Sequence, residues 1–213
     1  MTIYKSAAGK KKILELFDKQ LERLGTAYLD KWAGEVISAI GYESICCFGG
    51  SFGAGILAKA MCAAPRKIRR AVLYVPAGIK NASMINSMSM MFLMIMYWIT
   101  HEDRWLKKCM LPMAVTEENI TDDIYETAKL SISYAKVKAG MPGNVAEKDM
   151  KECKAPALVM AGEKDCLFPA KRVLLTAERI IQNATTYLLE GRGHMSSLTE
   201  GEKQMITEFL RRG

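Results

Sequence analysis

The stretch that decides the fold reads Cys46-Cys47-Phe48-Gly49-Gly50-Ser51-Phe52-Gly53-Ala54-Gly55. The stretch begins within an apolar, strand-forming run. After it, apolar residues recur at helical spacing until Pro65. The pattern G-x-S-x-G is typical of a sharp strand-to-helix turn that holds its serine in a strained conformation, with small neighbours where the two backbones approach. Ser51 then stands at a helix N-terminus, where free N–H groups stabilise negative charge. The alternative is a glycine-rich turn without chemistry, since such turns are common.

Composition indicates one globular domain. The chain has 213 residues, half of them apolar and a quarter charged. Its net charge of +7 is scattered, and no basic stripe alternates with aromatic residues, so we expect no nucleic-acid partner. The longest apolar run, residues 90–99, is too short for stable membrane insertion. Six cysteines without metal spacing and no signal peptide favour reduced thiols in the cytoplasm, with no metal and no cofactor.

The apolar pattern predicts an α/β fold, a predominantly parallel sheet flanked by helices. Strands are expected near 44–48, 71–75, 157–161 and 185–189, and helices near 10–24, 31–40, 52–64, 169–182 and at the C-terminus. Thr199 and Glu202 can form a capping box for the last helix. A helix between two continuous apolar strands is typical of a right-handed parallel β-α-β unit.

A helical insertion interrupts this alternation. Helices are expected near 84–100, 102–110 and 120–138, so we predict a core of residues 1–79 and 152–213 and a helical cap of residues 80–151. The first of these helices is rich in methionine: Met84, Met88, Met90, Met91, Met94 and Met96. This soft surface either packs on the rest of the protein or lines an adaptable pocket for an apolar substrate, and both can hold together.

Three polar residues follow three of the predicted parallel strands. Ser51, Asp165 and His194 each lie just past a strand's carboxyl end, the edge of an open parallel sheet where ligands bind. A serine hydroxyl needs a base to remove its proton, an imidazole serves near neutral pH, and a carboxylate orients that imidazole. Asp165 as a helix cap and His194 as a turn residue are the alternatives. Their joint placement favours a catalytic triad, with His194 as base.

From Gly41 onward, the chain resembles an α/β-hydrolase-fold serine hydrolase of the bacterial esterase and lipase type. The matching motifs are Gly49-Gly50-Ser51-Phe52-Gly53-Ala54, Gly162-Glu163-Lys164-Asp165 with Pro169, and Gly193-His194, in the family's order of serine, acid and histidine. The first six residues and the following helix also resemble the start of some bacterial members. The resemblance implies hydrolysis of an ester, thioester or related acyl bond through an acyl-enzyme on Ser51. It also implies that the Phe52 backbone N–H is one oxyanion-hole donor and that the insertion is the cap.

The chain departs from the family before the elbow. Members normally have several strands there, one followed by a His-Gly-type loop that supplies the second oxyanion N–H. Here only fifty residues precede Ser51, and they predict two helices and at most a short piece of strand near Thr26–Leu29. No residue can therefore be assigned as the second oxyanion donor. The missing neighbouring strand would also leave the apolar edge of the elbow strand exposed. Three explanations stay open. An internal segment is missing, the sheet is naturally shortened and covered by the N-terminal helices or a partner subunit, or the protein is a degenerate relative that binds without catalysis. Losing one donor costs roughly 3–4 kcal/mol of transition-state stabilisation.

The first hypothesis is a carboxylesterase-like serine hydrolase acting on a small apolar acyl substrate, with Met88, Met91 and Met195 as substrate-binding candidates. The alternative is a catalytically impaired relative that holds a hydrophobic ligand between cap and sheet. Carbon–carbon bond hydrolysis and perhydrolysis use the same triad and stay open. A phosphate loop is a remote option, because the glycine-rich stretch lacks the Lys-Ser/Thr ending of a P-loop. A homodimer is a further expectation.

Overall fold

The computed structural model describes residues 31–82, 88–134 and 142–212. The strands are β1 (Ile45–Gly50), β2 (Ile68–Tyr74), β3 (Ala157–Gly162) and β4 (Ala184–Leu189). The helices are α1 (31–39), α2 (Phe52–Ala63), α3 (Met88–Thr100), α4 (Asp103–Ala114), α5 (Asp122–Tyr134), α6 (Glu147–Met150), α7 (Ala170–Ile180) and α8 (Glu200–Arg211). The predicted helix at 10–24 and the predicted short piece of strand near Thr26–Leu29 lie outside the described residues.

The four strands form one parallel sheet in the order β1-β2-β3-β4. Helix α2 connects β1 to β2, which confirms the predicted β-α-β unit. Strand β2 begins at Ile68, earlier than predicted, and ends at Tyr74 because Val75 turns to a positive φ of 41°. The three polar residues singled out in the sequence follow the carboxyl ends of three of these strands. Ser51 follows β1, Asp165 follows β3 and His194 follows β4, all at one edge of the sheet.

Helices cover both faces of the sheet. On one face, Leu73 and Val159 pack into a cluster with residues of α2 and α7; on the other, Val72 and Leu158 pack with Ile206 of α8. Neighbouring residues of one strand thus enter opposite clusters, as the alternation of side chains along a strand requires. All six residues of β3 are buried because both of its faces are covered. The predicted α/β class is confirmed.

Helices α3, α4 and α5 follow one another between β2 and β3, where the sequence predicted helices. They share a separate apolar cluster, built on the buried side chains of Tyr97, Leu106, Met110 and Tyr125. Helix α4 extends to Ala114 with Pro112 inside it, beyond the end predicted near residue 110. Residues 84–87 and 135–138, which the sequence assigned to helices, lie outside the described part, and the division into core and cap stays a prediction.

Strand β1 is the edge of the sheet in the described part of the chain, where it pairs only with β2. Its Phe48 side chain is 49% exposed. A groove of about 360 Å³ runs between α1, β1 and α2 and is lined by apolar side chains, among them Val36 and Phe48. The exposed apolar edge predicted beside the elbow strand is therefore present among the described residues.

The start of α8 carries the predicted capping box. The Thr199 hydroxyl accepts a hydrogen bond from the Glu202 backbone N–H at 3.3 Å, and the Glu202 carboxylate accepts one from the Thr199 N–H at 2.9 Å. Two N–H groups that would otherwise lack partners are satisfied in this way. The box is confirmed, and it sets the end of the loop that contains His194.

Candidate active site

Ser51, His194 and Asp165 form one hydrogen-bonded chain. Ser51 Oγ lies 2.7 Å from His194 Nε2, and His194 Nδ1 lies 2.9 Å from Asp165 Oδ2. Because a carboxylate only accepts hydrogen bonds, the ring proton belongs on Nδ1, which leaves Nε2 to accept the serine proton. The side chain of Asp165 is fully buried and that of His194 is 10% exposed. The structure thus brings together the three residues that the sequence singled out.

The backbone around Ser51 has the strained form that the G-x-S-x-G pattern predicted. Ser51 has φ 51° and ψ −119°, a region that residues with a side chain rarely occupy. Its N–H donates to the Tyr74 carbonyl at 2.9 Å, and its own carbonyl accepts from Ala54, Gly55 and Ala77 N–H groups at 3.1–3.2 Å. Strain of about 1–3 kcal/mol persists only where surrounding bonds determine the conformation, as they do here. The hydroxyl is thereby held at the start of α2.

Gly49 is the position where the strand and the helix approach most closely. A Cβ added there would lie 2.7 Å from the Gly53 carbonyl oxygen and 2.8 Å from the Ala54 Cα, both backbone atoms. We expect Gly49→Ala to lower the free energy of unfolding by about 1–3 kcal/mol, because the turn must open to admit the methyl group. Gly53→Ala is the matched control, since a Cβ there meets nothing within 4 Å. Urea denaturation of both variants measures the difference; equal stabilities would contradict the close approach.

Asp165 is held by the turn that follows β3. Its Oδ1 accepts backbone N–H groups of Leu167 at 2.8 Å and Phe168 at 2.9 Å, which leaves Oδ2 for the imidazole. The sequence offered Asp165 as a helix cap as an alternative, but Pro169 is the residue that precedes α7. One Asp165 oxygen instead caps the turn after β3 while the other binds His194. Two N–H donors and the imidazole N–H satisfy a carboxylate that is out of contact with water.

The loop that carries His194 is fixed from two sides. The Met195 N–H donates to the Met113 carbonyl at the end of α4 at 2.9 Å, and the Phe168 ring meets the imidazole edge to face at 5.2 Å. A Cβ on Gly193 would lie 2.3 Å from that same Met113 oxygen, so the loop and α4 are in direct backbone contact. The helical insertion therefore contributes to the position of His194.

Two further contacts of this loop were not predicted from the sequence. The Tyr74 hydroxyl donates to the Ser196 carbonyl at 2.6 Å, and the Arg192 guanidinium pairs with the buried Glu202 carboxylate. Tyr74 also supplies the carbonyl that binds the Ser51 N–H, so one residue braces both the serine turn and the histidine loop. In the sequence it lies close to the predicted end of its strand, whereas the register that sets it opposite Gly50 comes from the structure.

The predicted oxyanion donor is the backbone N–H of Phe52. Phe52 is the first residue of α2, so its N–H has no carbonyl of the preceding turn to bond with. No residue was predicted as a second donor, because no His-Gly pair precedes Ser51 in the sequence. Residues 1–30 lie outside the described part of the chain.

The thiols near the site do not compete with Ser51 as nucleophiles. Burial, and then the neighbouring Asp165 carboxylate, raises the pKa of the Cys166 thiol. Burial, with a contribution from Cys46, raises the pKa of Cys47 in β1 to about 11. Both thiols are therefore protonated near neutral pH, and a protonated thiol is a weak nucleophile.

The three methionines predicted to bind substrate lie on or beside the helical insertion. Met88 begins α3, but its side chain lies outside the described part. Met91 is 54% exposed and borders an apolar groove of about 350 Å³ between α3 and α4, together with Met113. Met195 packs against the cluster of the inserted helices next to Met113. Met113 thus connects the groove to the histidine loop, although the sequence did not single it out.

No group of three or more His, Cys, Asp or Glu side chains in residues 31–82, 88–134 and 142–212 is arranged to hold a metal ion. Within the same ranges, no helix is long and apolar enough to cross a membrane.

The chain is similar in fold to several solved structures of hydrolases. With the carboxylesterase CesB of Bacillus subtilis it shares 18% identity at a TM-score of 0.70, over 89% of this chain and 67% of that one. With an esterase of Exiguobacterium antarcticum it shares 16% identity at a TM-score of 0.65, over 88% of this chain and 74% of that one. With a meta-cleavage product hydrolase of Pseudomonas fluorescens it shares 17% identity at a TM-score of 0.62, over 85% of this chain and 71% of that one. No family model and no curated protein sequence matches the chain.

The chain thus spans about two thirds to three quarters of the length of these neighbours. The likeness extends over 85–89% of this chain, whose parallel sheet carries Ser51, Asp165 and His194 beyond its strand ends. At these identities it concerns the fold, which is the one that the sequence motifs predicted. The described part of the chain has the α/β-hydrolase fold.

Proposed function

We propose that the protein is a serine hydrolase that cleaves an ester, thioester or related acyl bond through an acyl-enzyme on Ser51. The observation that carries the proposal is the continuous hydrogen-bonded chain from Ser51 Oγ through His194 to the buried Asp165 carboxylate. Neighbours of the same fold include proteins described as a carboxylesterase, an esterase and a meta-cleavage product hydrolase. Carbon–carbon bond hydrolysis and perhydrolysis use the same three groups, so they remain variants of this proposal.

Each group has a role in the proposed reaction. Ser51 Oγ attacks the acyl carbon while its proton passes to His194 Nε2, and Asp165 stabilises the imidazolium that forms. The Phe52 N–H donates to the oxyanion. Collapse of the tetrahedral intermediate transfers the proton from Nε2 to the leaving alcohol or thiol. Water then attacks the acyl-enzyme, its proton passes to Nε2 and on to the departing serine, and the carboxylic acid is released.

The groove between α3 and α4 is the candidate acyl-binding surface. Its lining is apolar and includes Met91 and Met113, and Met113 bonds through its backbone to Met195 beside His194. Unbranched, polarisable methionine side chains adapt to acyl groups of different shape. We therefore propose a small apolar acyl substrate, and no cofactor or metal enters any step.

Hydrolysis of p-nitrophenyl acetate and p-nitrophenyl butyrate tests the proposal. We expect a burst of p-nitrophenol stoichiometric with protein, followed by slower turnover, as acyl-enzyme formation and hydrolysis require. His194→Ala should abolish both phases. His101→Ala is the matched control, because the chain has only two histidines and His101 lies between α3 and α4. Equal rates for wild type and His194→Ala would remove His194 from the role of base.

The second candidate is a binding protein of the same fold with impaired catalysis. The observation that favours it is the edge position of β1, which has β2 as its one partner strand among the described residues. The elbow strand therefore lacks, in this part of the chain, a neighbour that could present a second oxyanion donor. A folded protein that shows no burst but binds a fatty acid or an aryl ester at the apolar groove would support this candidate over the hydrolase.

A further inference from the structure

Helix α3 carries an exposed face made only of large apolar side chains. The exposed fractions are 54% for Met91, 59% for Phe92, 42% for Ile95, 58% for Trp98 and 71% for Ile99. These positions recur every three or four residues, so they form one continuous stripe along the helix. We call this set the α3 stripe. A surface helix normally places polar or charged residues at such positions.

The opposite side of α3 is already packed. Tyr97 is buried in the cluster of the inserted helices, Met94 packs against that cluster, and the Cys109 thiol of α4 donates to the Met90 carbonyl. No residue of Met88–Thr100 is charged. Rotation of the helix would therefore only exchange one apolar side for another, and the stripe cannot be hidden within the described fold.

The area of the stripe is sufficient for a protein partner. The exposed fractions of these five side chains correspond to an apolar surface on the order of 600 Å². That is at the upper limit of what monomeric proteins expose in one patch. Two such patches brought face to face would bury about 1,200 Å², the lower limit for a specific and stable interface.

The spacing of the stripe makes it complementary to itself. Phe92 and Trp98 lie three residues on either side of Ile95, and Met91 and Ile99 lie four residues on either side. A two-fold axis through Ile95 would therefore set Phe92 of one helix against Ile99 of the other, and Met91 against Trp98, in an antiparallel pair. Closed two-fold dimers use one patch on both copies in this way.

We propose that α3 packs antiparallel against α3 of a second copy of this chain, with Ile95 on the two-fold axis. A lipid surface is the less suitable occupant. Helices that lie on membranes carry Lys or Arg beside the apolar face, whereas α3 has none, and His101, Glu102 and Asp103 separate it from the next basic residue, Arg104. Met91, Ile95 and Trp98 of the stripe also line the groove proposed for the acyl group, so the second copy would form the outer wall of that groove. The dimer itself does not depend on the reaction at Ser51.

Light scattering coupled to gel filtration of the full-length chain tests the dimer. We expect wild type at twice the monomer mass and Ile95→Lys at the monomer mass, with association weakened roughly thirtyfold or more, as for a central interface residue. Leu175→Lys is the matched control, because Leu175 is 58% exposed on α7, outside the stripe. Phe48→Lys examines the other exposed apolar feature, the edge strand β1.

Three results would overturn the proposal. The first is a monomeric wild type at all concentrations, and the second is a dimer that Phe48→Lys dissociates while Ile95→Lys does not. The third is a wild type that stays monomeric but sediments with phosphatidylcholine and phosphatidylglycerol vesicles, with Ile95→Lys released from them. This last result would assign the stripe to a lipid surface.

A cysteine at position 95 supplies a test that does not depend on the stability of the lysine variant. Ile95→Cys should form a disulfide with itself across the axis under mild oxidation, whereas Leu175→Cys should not. Peptide mapping distinguishes this bond from bonds of the six native cysteines. A dimeric Ile95→Cys protein without the bond between the two residues 95 would contradict the antiparallel arrangement.

Discussion

Replacing Ser51 by alanine is expected to lower kcat for p-nitrophenyl ester hydrolysis by roughly a million-fold, which leaves no measurable enzymatic turnover. The loss is total because, in the proposed reaction, Ser51 Oγ is the atom that bonds to the substrate, and the neighbouring thiols are poor replacements. Cys166 is held protonated by burial and by Asp165. The fold should survive, because Ser51 makes its stabilising contacts to Tyr74 and Ala77 through backbone atoms that alanine retains.

Ser133→Ala is the matched control for this experiment, since Ser133 is an exposed serine on α5. Circular dichroism and urea denaturation should place both variants close to wild type. Turnover by Ser51→Ala at the wild-type rate would remove Ser51 from the role of nucleophile, even though its geometry meets that role.

Replacing Asp165 by asparagine is expected to lower kcat about ten-thousand-fold. The asparagine oxygen would keep the bonds from the Leu167 and Phe168 N–H groups, so its NH₂ group would face His194 Nδ1. Nδ1 must then accept, and the ring proton moves to Nε2. An Nε2–H group cannot take the proton of Ser51. The variant should therefore bind substrate normally and fail in the chemical step.

Asp123→Asn, at an exposed position in the first turn of α5, is the control for the loss of one negative charge. KM should stay near the wild-type value in both variants while kcat falls only in Asp165→Asn. A decrease in kcat of less than tenfold for Asp165→Asn would show that the carboxylate does not fix the tautomer of His194.

The sequence was sufficient for the sheet and for the three residues at its edge. Strands such as β3 are buried on both faces, so they appear in the sequence as continuous apolar runs. A serine, an acid or a histidine soon after such a run is therefore expected at the carboxyl edge of the sheet. The strained turn at Ser51 and the capping box at Thr199 depend on residues a few positions apart, which the sequence also displays.

Contacts between distant parts of the chain could not be predicted in this way. The bond from Tyr74 to Ser196 and the bond from Met195 to Met113 join elements whose mutual position depends on the packing of the whole domain. Only the three-dimensional arrangement reveals that the inserted helices touch the histidine loop. The methionines of α3 show the same limit, because their pattern predicted an apolar surface but not which side of the helix stays exposed.

The central claim is that His194 and Asp165 activate Ser51, and covalent labelling with a fluorophosphonate tests it most directly. The account predicts one adduct per chain, located on Ser51 by peptide mass spectrometry, and its loss in His194→Ala. A folded wild-type protein that takes up no label, or carries the adduct on a residue other than Ser51, would contradict the claim.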